Sequence, residues 1–414
     1  MVYVINQNGQ PLMPTENHRM VRLLLKEGKA KVVRRTPFTI QLLVQTKEFV
    51  QPVALGVDAG SKTIGLSAST ENKELFAAEL KPRNDVVNNI STRREFRRAR
   101  RNRKTRYRKE RRDNRVHSKH KGWLAPSVEV KIQEHITAIK RICKILPIAE
   151  VIVETAEFDL QLIKAVEAGL PVPVGEDYQK GEQFGFYDVR QYVFWRDGYR
   201  CRHCGAHGDG VKFETHHLES RKTGGNAPDN LVTLCSHCHE LVTNGKILSF
   251  NKRKAKSTRD ATFMGIMRKT LMERLRNELT IPVKETKGYI TKCVRETHKL
   301  PKSHTIDALC IAGHPNAKKI DRVYLIKPVR NHNRQLHKAT ILKGGVRKAN
   351  QAATYVKGFK LYDKVLYNNQ ECFIWGRRTS GSMLLRLLDG TKVKDGVGYR
   401  SLKLLERSSN YLIS

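Results

Sequence analysis

The sequence predicts an α/β protein that carries an inserted metal-binding module and ends in a small β-barrel. Three observations predict it. A helical pattern over residues 127–146 feeds directly into the apolar run EVIVET, as a helix packed on a sheet would. Two CxxC pairs, Cys201/Cys204 and Cys235/Cys238, lie thirty residues apart in a histidine-rich stretch. From about residue 332, short strand-like runs such as DKVLYNNQECFIWG and SMLLRLLDGTKVKDG alternate with turns.

Residues 1–50 alternate apolar runs (VYVI, FTIQLLV) with turns and the motif Pro11-Leu12-Met13-Pro14, which predicts a small α+β unit. QPVALGVDAGSKTIGLSAST then reads as two strands joined by a turn, and ENKELFAAEL as the third strand of a meander. Residues 91–121 hold sixteen Lys or Arg against Glu95, Glu110 and Asp113. Thr92 and Glu95 fit a capping box, and no Pro or Gly follows before Gly122, so a helix basic on nearly every face is expected to start there. A solvated charge run is the alternative. Arg predominates over Lys and is the better fork for phosphate, while Phe96 and Tyr107 interrupt the run, which favours a helix bound to nucleic acid. GLPVPVGEDYQKGEQ is a linker, residues 185–247 form the Cys- and His-rich module, and residues 256–279 are helical. Another helix begins at Ser303. No internal repeat is seen.

The chain has 414 residues, room for two to four domains of roughly 100–200 residues each. Lys and Arg number 78 and Asp and Glu 40, a net charge of +38, with 39% hydrophobic residues. That charge argues against an ordinary metabolic enzyme and for a polyanionic partner carried on folded surfaces. There is no signal-peptide pattern and no run of 18 apolar residues, so a soluble, cytoplasmic protein without a membrane partner is expected. Cys143, Cys293, Cys310 and Cys372 are scattered, as expected of inert thiols in a reducing compartment.

The four paired cysteines suit a closed structural Zn²⁺ site. Between the knuckles lie His216-His217 and Asp229-Asn230, and His239 follows Cys238 at the expected start of a helix. Adjacent strand residues point to opposite faces, so His216 and His217 cannot share one job. One can bind a metal while its neighbour faces a scissile phosphate. A purely structural zinc finger is the alternative.

This His-Asn-His arrangement over residues 185–245 resembles the HNH, or ββα-metal, nucleases. The resemblance implies that His216 and His239 hold one divalent ion, that His217 is the general base, and that Asn230 braces the loop carrying the base. Many relatives have a further histidine four residues after the one matching His239; here that position is Thr243.

Asp58 and Glu154 each end an apolar strand, and Asp307 follows His304 by three residues on one face of a helix. Each alone could be a turn or helix cap. Together DAGSKTIGLS, VIVET and HTID resemble the three split motifs of RuvC-type nucleases of the RNase H-like fold. That resemblance implies Asp58, Glu154 and Asp307 as Mg²⁺ ligands in a two-cation site, with His304 a base or phosphate contact.

In sequence order, the whole chain resembles the IscB family of transposon-associated, RNA-guided nucleases. The implied plan is a PLMP domain (1–50), RuvC part I (51–82), an Arg-rich bridge helix (83–121), RuvC part II (122–175), HNH (176–250), RuvC part III (251–331) and a C-terminal β domain that meets a target motif or RNA (332–414). The bridge would bind nucleic acid through Arg93, Arg94, Arg97, Arg98, Arg100, Arg101, Arg103, Arg106 and Arg108. The C-terminal domain offers Arg377, Arg378, Lys392, Lys394, Arg400 and Lys403. The resemblance also implies an omega RNA guide, a double-stranded DNA target and a monomeric ribonucleoprotein. HNH would cut the guide-paired strand and RuvC the displaced one. An unguided homing or junction-resolving nuclease, or a non-catalytic transposon regulator, is the alternative from the residues alone.

Overall fold

A computed structural model of the chain describes residues 1–101, 122–155, 171, 185–219, 228–246, 259–330 and 353–414, excluding the side chains of residues 99–101 and 259–263. The chain divides into two units, Met1–Asp159 with Phe263–Ser414, and the segment Leu160–Thr262 that interrupts it in sequence.

The first unit opens with β1 (Tyr3–Ile5), α1 (His18–Lys26), β2 (Ala30–Arg34) and β3 (Thr39–Leu42), a three-stranded sheet in the order β1-β3-β2. Asn17 caps α1, its Oδ1 accepting from the Met20 N–H at 2.9 Å. Val2, Val4, Val21 and Ile40 form this module's small core. The expected α+β unit is therefore present.

The expected meander is β4 (Val53–Ala59), β5 (Ile64–Ser69) and β6 (Glu74–Leu80), antiparallel and almost wholly buried. α2 (Val86–Arg101) starts six residues before Thr92. Thr92 is thus inside the helix, its hydroxyl donating back to the Asn88 carbonyl at 2.9 Å instead of capping an N-terminus. Arg103, Arg106 and Arg108 lie outside the described residues, as do the side chains of Arg100 and Arg101.

Pro126 at the first turn begins α3 (Pro126–Cys143), whose Val128, Ile132, Ile136, Ile139 and Ile142 repeat at helical spacing and are buried. Each such side chain contributes roughly 1.5–3 kcal/mol. β7 (Ile148–Thr155) follows. In the interrupting unit come α4 (Val189–Arg196), β8 (Phe213–His217), β9 (Leu231–Cys235) and α5 (Ser236–Thr243). α5 thus begins three residues ahead of His239.

Returning to the first unit are α6 (Arg259–Glu278), β10 (Val283–Lys287), α7 (Gly288–Thr297), α8 (His304–Ile311) and β11 (Tyr324–Pro328). A five-stranded antiparallel sheet, β15-β14-β13-β12-β16, is built from β12 (Lys364–Tyr367), β13 (Gln370–Arg377), β14 (Ser382–Arg386), β15 (Lys392–Gly398) and β16 (Lys403–Glu406). β15 and β16 are the ends of this ladder. Bulges on β12, β13 and β14 bend it around one core of Val365, Ile374, Met383, Leu385 and Val397. β17 (Tyr411–Ile413) leaves that sheet and pairs with β11.

The central sheet runs β10-β7-β4-β5-β6-β11-β17. β7 and β10 lie parallel to β4, on its far side from the meander. Leu55, Val57, Ile64 and Leu66 share one face with Phe76 and Leu80, which pack with Ala138 and Ile142 of α3. Gly56, Asp58 and Gly65 lie on the other face, against α8. The result is a helix–sheet–helix sandwich in which Asp58 and α8 occupy one side. Among the described residues no helix is long and apolar enough to cross a membrane.

Candidate active sites

The first unit gathers Asp58, Glu154, His304 and Asp307. Asp58 and Glu154 are direct partners across the parallel pair β4·β7, so their side chains leave one face of the sheet side by side. Ser303 caps α8 by accepting from the Ile306 N–H at 3.2 Å, which fixes His304 at the first turn and Asp307 one turn later. α8 reaches the sheet because Gly56 and Gly65 have no side chains. A β-carbon there would stand 1.9 Å from the Ala308 carbonyl oxygen and 2.0 Å from that of His304. His304 Nδ1 lies 2.6 Å from Asp58 Oδ2.

Burial pushes the Asp58 carboxyl above its usual range, against the hydrogen bond and charge of His304. Glu154 is likewise raised, first by burial and further by the charges of Asp58 and Asp307. Asp307 Oδ1 is buried without a hydrogen-bond partner. Oxygen donors that repel one another, one of them unsatisfied, fit hard divalent cations such as Mg²⁺. Their oxygens are not drawn into one tight cluster, since the only group of three or more His, Cys, Asp or Glu among the described residues with ligand atoms all within 4.8 Å is the four cysteines.

Two neighbours of this site were not legible in the sequence. Buried Thr291 stands beside Glu154, and Arg295 Nε lies 2.9 Å from Asp307 Oδ1. Both sit on α7. Their local sequence, YITKCVRET, reads as an ordinary mixed helix, and only the packing of α7 on α8 brings them to the acids.

In the second unit, β8 and β9 form a hairpin with His216 opposite Val232 and His217 opposite Leu231. The ββα unit closes with α5, which carries His239 to His216, ring centroids 5.5 Å apart and nearly perpendicular. His239 Nδ1 is 3.2 Å from Glu214 Oε2. Glu214 and His216 alternate onto one strand face and His217 onto the other, so the structure separates the two histidines. Burial, then the neighbouring His239 and His217, lower the His216 pKa, which favours its neutral, ligating form. Glu214 is an addition that strand alternation could have suggested.

Asn230 is buried at the end of a 3-10 turn, Pro228–Asn230. Its Oδ1 accepts from the Glu219 N–H at 2.7 Å and its Nδ2 donates to the Glu219 carbonyl at 3.1 Å. The amide thereby ties down the chain two residues beyond His217. Thr243 donates its hydroxyl to the His239 carbonyl at 2.8 Å, a local helix bond rather than a ligand set towards His216.

Cys201, Cys204, Cys235 and Cys238 bring their sulfurs together. Burial opposes ionisation of Cys201, yet backbone N–H groups of Cys204, Cys235 and His203 hold its thiol down to about 6. Cys238 is pushed up by burial and by the other three thiols. Four sulfurs drawn to within 4.8 Å of one another are a donor set that fits tetrahedral Zn²⁺.

A family model described as RRXRR protein matches residues 2–181, and one described as HNH endonuclease matches residues 201–245. No curated protein matches. Among solved structures the chain is similar to Streptococcus thermophilus Cas9 in complex with the GGAA PAM, with 12% identity, TM-score 0.32, and coverage of 50% of this chain and 29% of that one. It is also similar to the Type II-C Cas9 enzyme from Actinomyces naeslundii, with 15% identity, TM-score 0.15, and coverage of 45% and 27%. The chain spans less than a third of the length of either.

Proposed function

Since the chain belongs to an IscB-like family of RuvC/HNH nucleases, we propose that it is an RNA-guided DNA endonuclease with two separate active sites. The observation that carries this reading is the pairing of Asp58 with Glu154 in adjacent parallel strands, with Asp307 brought over them by α8, in a chain that also holds a ββα unit with its own histidines. The strand order β6-β5-β4-β7-β10 supports an RNase H-like RuvC domain split in three.

In the RuvC reading, Asp58, Glu154 and Asp307 hold Mg²⁺. Bound there, such ions would supply Lewis-acid activation of a water and neutralisation of charge growing on the phosphorane. His304 keeps Nδ1 on Asp58, and its half-exposed ring presents Nε2 to the substrate as a base or phosphate contact. In the HNH reading, His216 and His239 hold one ion, with Glu214 behind His239. His217, on the opposite strand face, takes the proton of the attacking water on an imidazole nitrogen, and Asn230 fixes its loop. Zn²⁺ on the four cysteines is structural.

The charge of +38 exceeds what one duplex contact requires and suits a large structured RNA, the omega RNA, together with a heteroduplex. The Arg-rich helix would lie between them in a monomeric ribonucleoprotein. HNH would cut the guide-paired strand and RuvC the displaced strand.

The test is purification without nuclease, followed by sequencing of any bound RNA and cleavage of a duplex matching it. RNA of defined length and cutting that follows the guide sequence are expected. Cutting that survives RNA removal would favour an unguided nuclease.

A further inference from the structure

The three carboxylates of the first unit have different neighbours. Asp58 has His304, Glu154 has Thr291 and the backbone at Gly288, and Asp307 has Arg295. The last pair differs from other arginine–carboxylate pairs among the described residues, in that both of its facing atoms are buried without a hydrogen bond. Arg274 grips Glu129 with a two-pronged fork at 2.6 and 3.0 Å, and Arg83 grips Asp85 at 2.9 and 3.1 Å. Arg295 brings one nitrogen, Nε, to 2.9 Å from Asp307 Oδ1, with side chains only 13% and 17% exposed. The N–H is not aimed at the oxygen, and both atoms remain buried without a hydrogen bond. The charges are therefore close enough to cancel, while the oxygen keeps its lone pairs uncommitted.

We propose that Arg295 is a resident counter-cation, a positioning residue that neutralises Asp307 and yields Oδ1 to an incoming divalent cation, so that it sets the metal threshold of this site. The proposal rests on the reading of the three acids as metal ligands. Thr291 and Arg295 lie one turn apart on α7 and meet Glu154 and Asp307 respectively, so a single helix face addresses two of the three acids. Without Arg295, mutual repulsion among the buried acids would be relieved only by protonation or by metal. With it, the metal must compete against a fixed positive charge.

The experiment is Mn²⁺ binding to the full-length, RNA-free protein, followed by electron paramagnetic resonance, with the fraction lost in Asp58→Ala taken as this site. Arg295→Gln should bind Mn²⁺ about tenfold tighter at that site, and Arg295→Lys within about twofold of wild type, a tenfold change being about 1.4 kcal/mol. Mn²⁺ should also raise the melting temperature of Arg295→Gln more than that of wild type. A merely structural arginine would lower both melting temperatures alike. As a second route, guanidinium ion should weaken Mn²⁺ binding by Arg295→Ala more than sodium at equal ionic strength does.

Unchanged or weaker Mn²⁺ binding in Arg295→Gln, with the Asp58-dependent site intact, overturns this inference alone. Absence of any Asp58-dependent binding in wild type overturns the metal-site reading and this inference with it.

Discussion

The backbone carbonyl oxygen of His304 stands 2.0 Å from where a β-carbon on Gly65 would be. Gly65 is the antiparallel partner of Asp58, so the missing side chain lets the first turn of α8 settle against the strand end, where His304 Nδ1 reaches Asp58 Oδ2. Gly56 does the same one turn further along, under Ala308.

Gly65→Ala should push α8 off the sheet. Overpacking of this kind costs roughly 1–3 kcal/mol. The His304–Asp58 contact would lengthen, and cutting of the displaced strand should fall by about fivefold or more while the other strand is still cut, as a loss of roughly 1–3 kcal/mol from the reactive arrangement implies. Strand-labelled duplex separates the two rates. Full cutting of both strands would show that the close approach is irrelevant to the site.

Zinc should be present at one per chain and be structural. Backbone N–H groups hold the Cys201 thiol low, and it is buried in the small core with Val232, Leu234 and Cys238. Cys201→Ser should release the metal and expose the inserted unit to protease before the first unit is attacked. Elemental analysis and limited proteolysis read this, and a zinc-free protein with an intact ββα unit would remove the assignment.

Much of both sites was legible because the chemistry sits at element ends. Asp58 and Glu154 close apolar strands, where an uncompensated acid stands out, and the cysteine spacing is a geometric constraint in itself. The register that makes Asp58 and Glu154 neighbours depends on crossing over the meander through α3, a non-local pairing that no window of sequence carries. Gly56 and Gly65 signal close approach without saying what approaches. The capping box at Thr92 and Glu95 misplaced the start of α2 because the helix begins at Val86 without an acidic first turn. β17 is three residues, YLI, and pairs with β11 although the preceding strands belong to another sheet.

Stability should fall between about pH 4.5 and 7 partly because of Glu134, a carboxylic acid on the buried face of α3. Burial pushes it up to about 7, against the Arg83 N–H that donates to Oε2 at 2.9 Å. The folded state holds its proton more tightly than the unfolded chain does. Its contribution is therefore complete below about pH 4.5 and is lost as pH rises through 7. Glu134→Gln keeps an acceptor for Arg83 and removes the titration. The variant should match wild type at pH 4 and exceed it by up to about 3 kcal/mol at pH 8. Parallel curves from thermal melts across this range would exclude the effect.

The two nuclease sites should separate genetically because each is held by its own fold. Asp58→Ala removes the His304 partner and a metal oxygen in one unit, leaving the ββα unit untouched. It should give a nickase of the guide-paired strand. His217→Ala should give a nickase of the displaced strand. Loss of both cuts from either change, with DNA binding retained, would contradict two independent sites.

The C-terminal sheet should read a short DNA motif beside the target, since a guided nuclease needs a protein-read sequence to start opening the duplex. The structure sorts the six cations proposed for this. Arg377 is half-buried and donates to the Phe359 and Thr354 carbonyls, so it holds the sheet's own loop. Arg378 is exposed but paired with Asp395 at 3.1 Å. Arg400, Lys392, Lys394 and Lys403 are exposed. An arginine can read a guanine edge bidentately in the major groove, which a lysine cannot match, so Arg400 and Arg378 are the candidates for base contact and the lysines for phosphate. In a plasmid library with randomised flanks, Arg400→Gln or Arg378→Gln should relax the preferred flank at one position, while Lys403→Gln should weaken cutting of every flank alike. If the arginine variants also lose cutting uniformly, Arg378 and Arg400 act on phosphates like the lysines and the motif is read elsewhere.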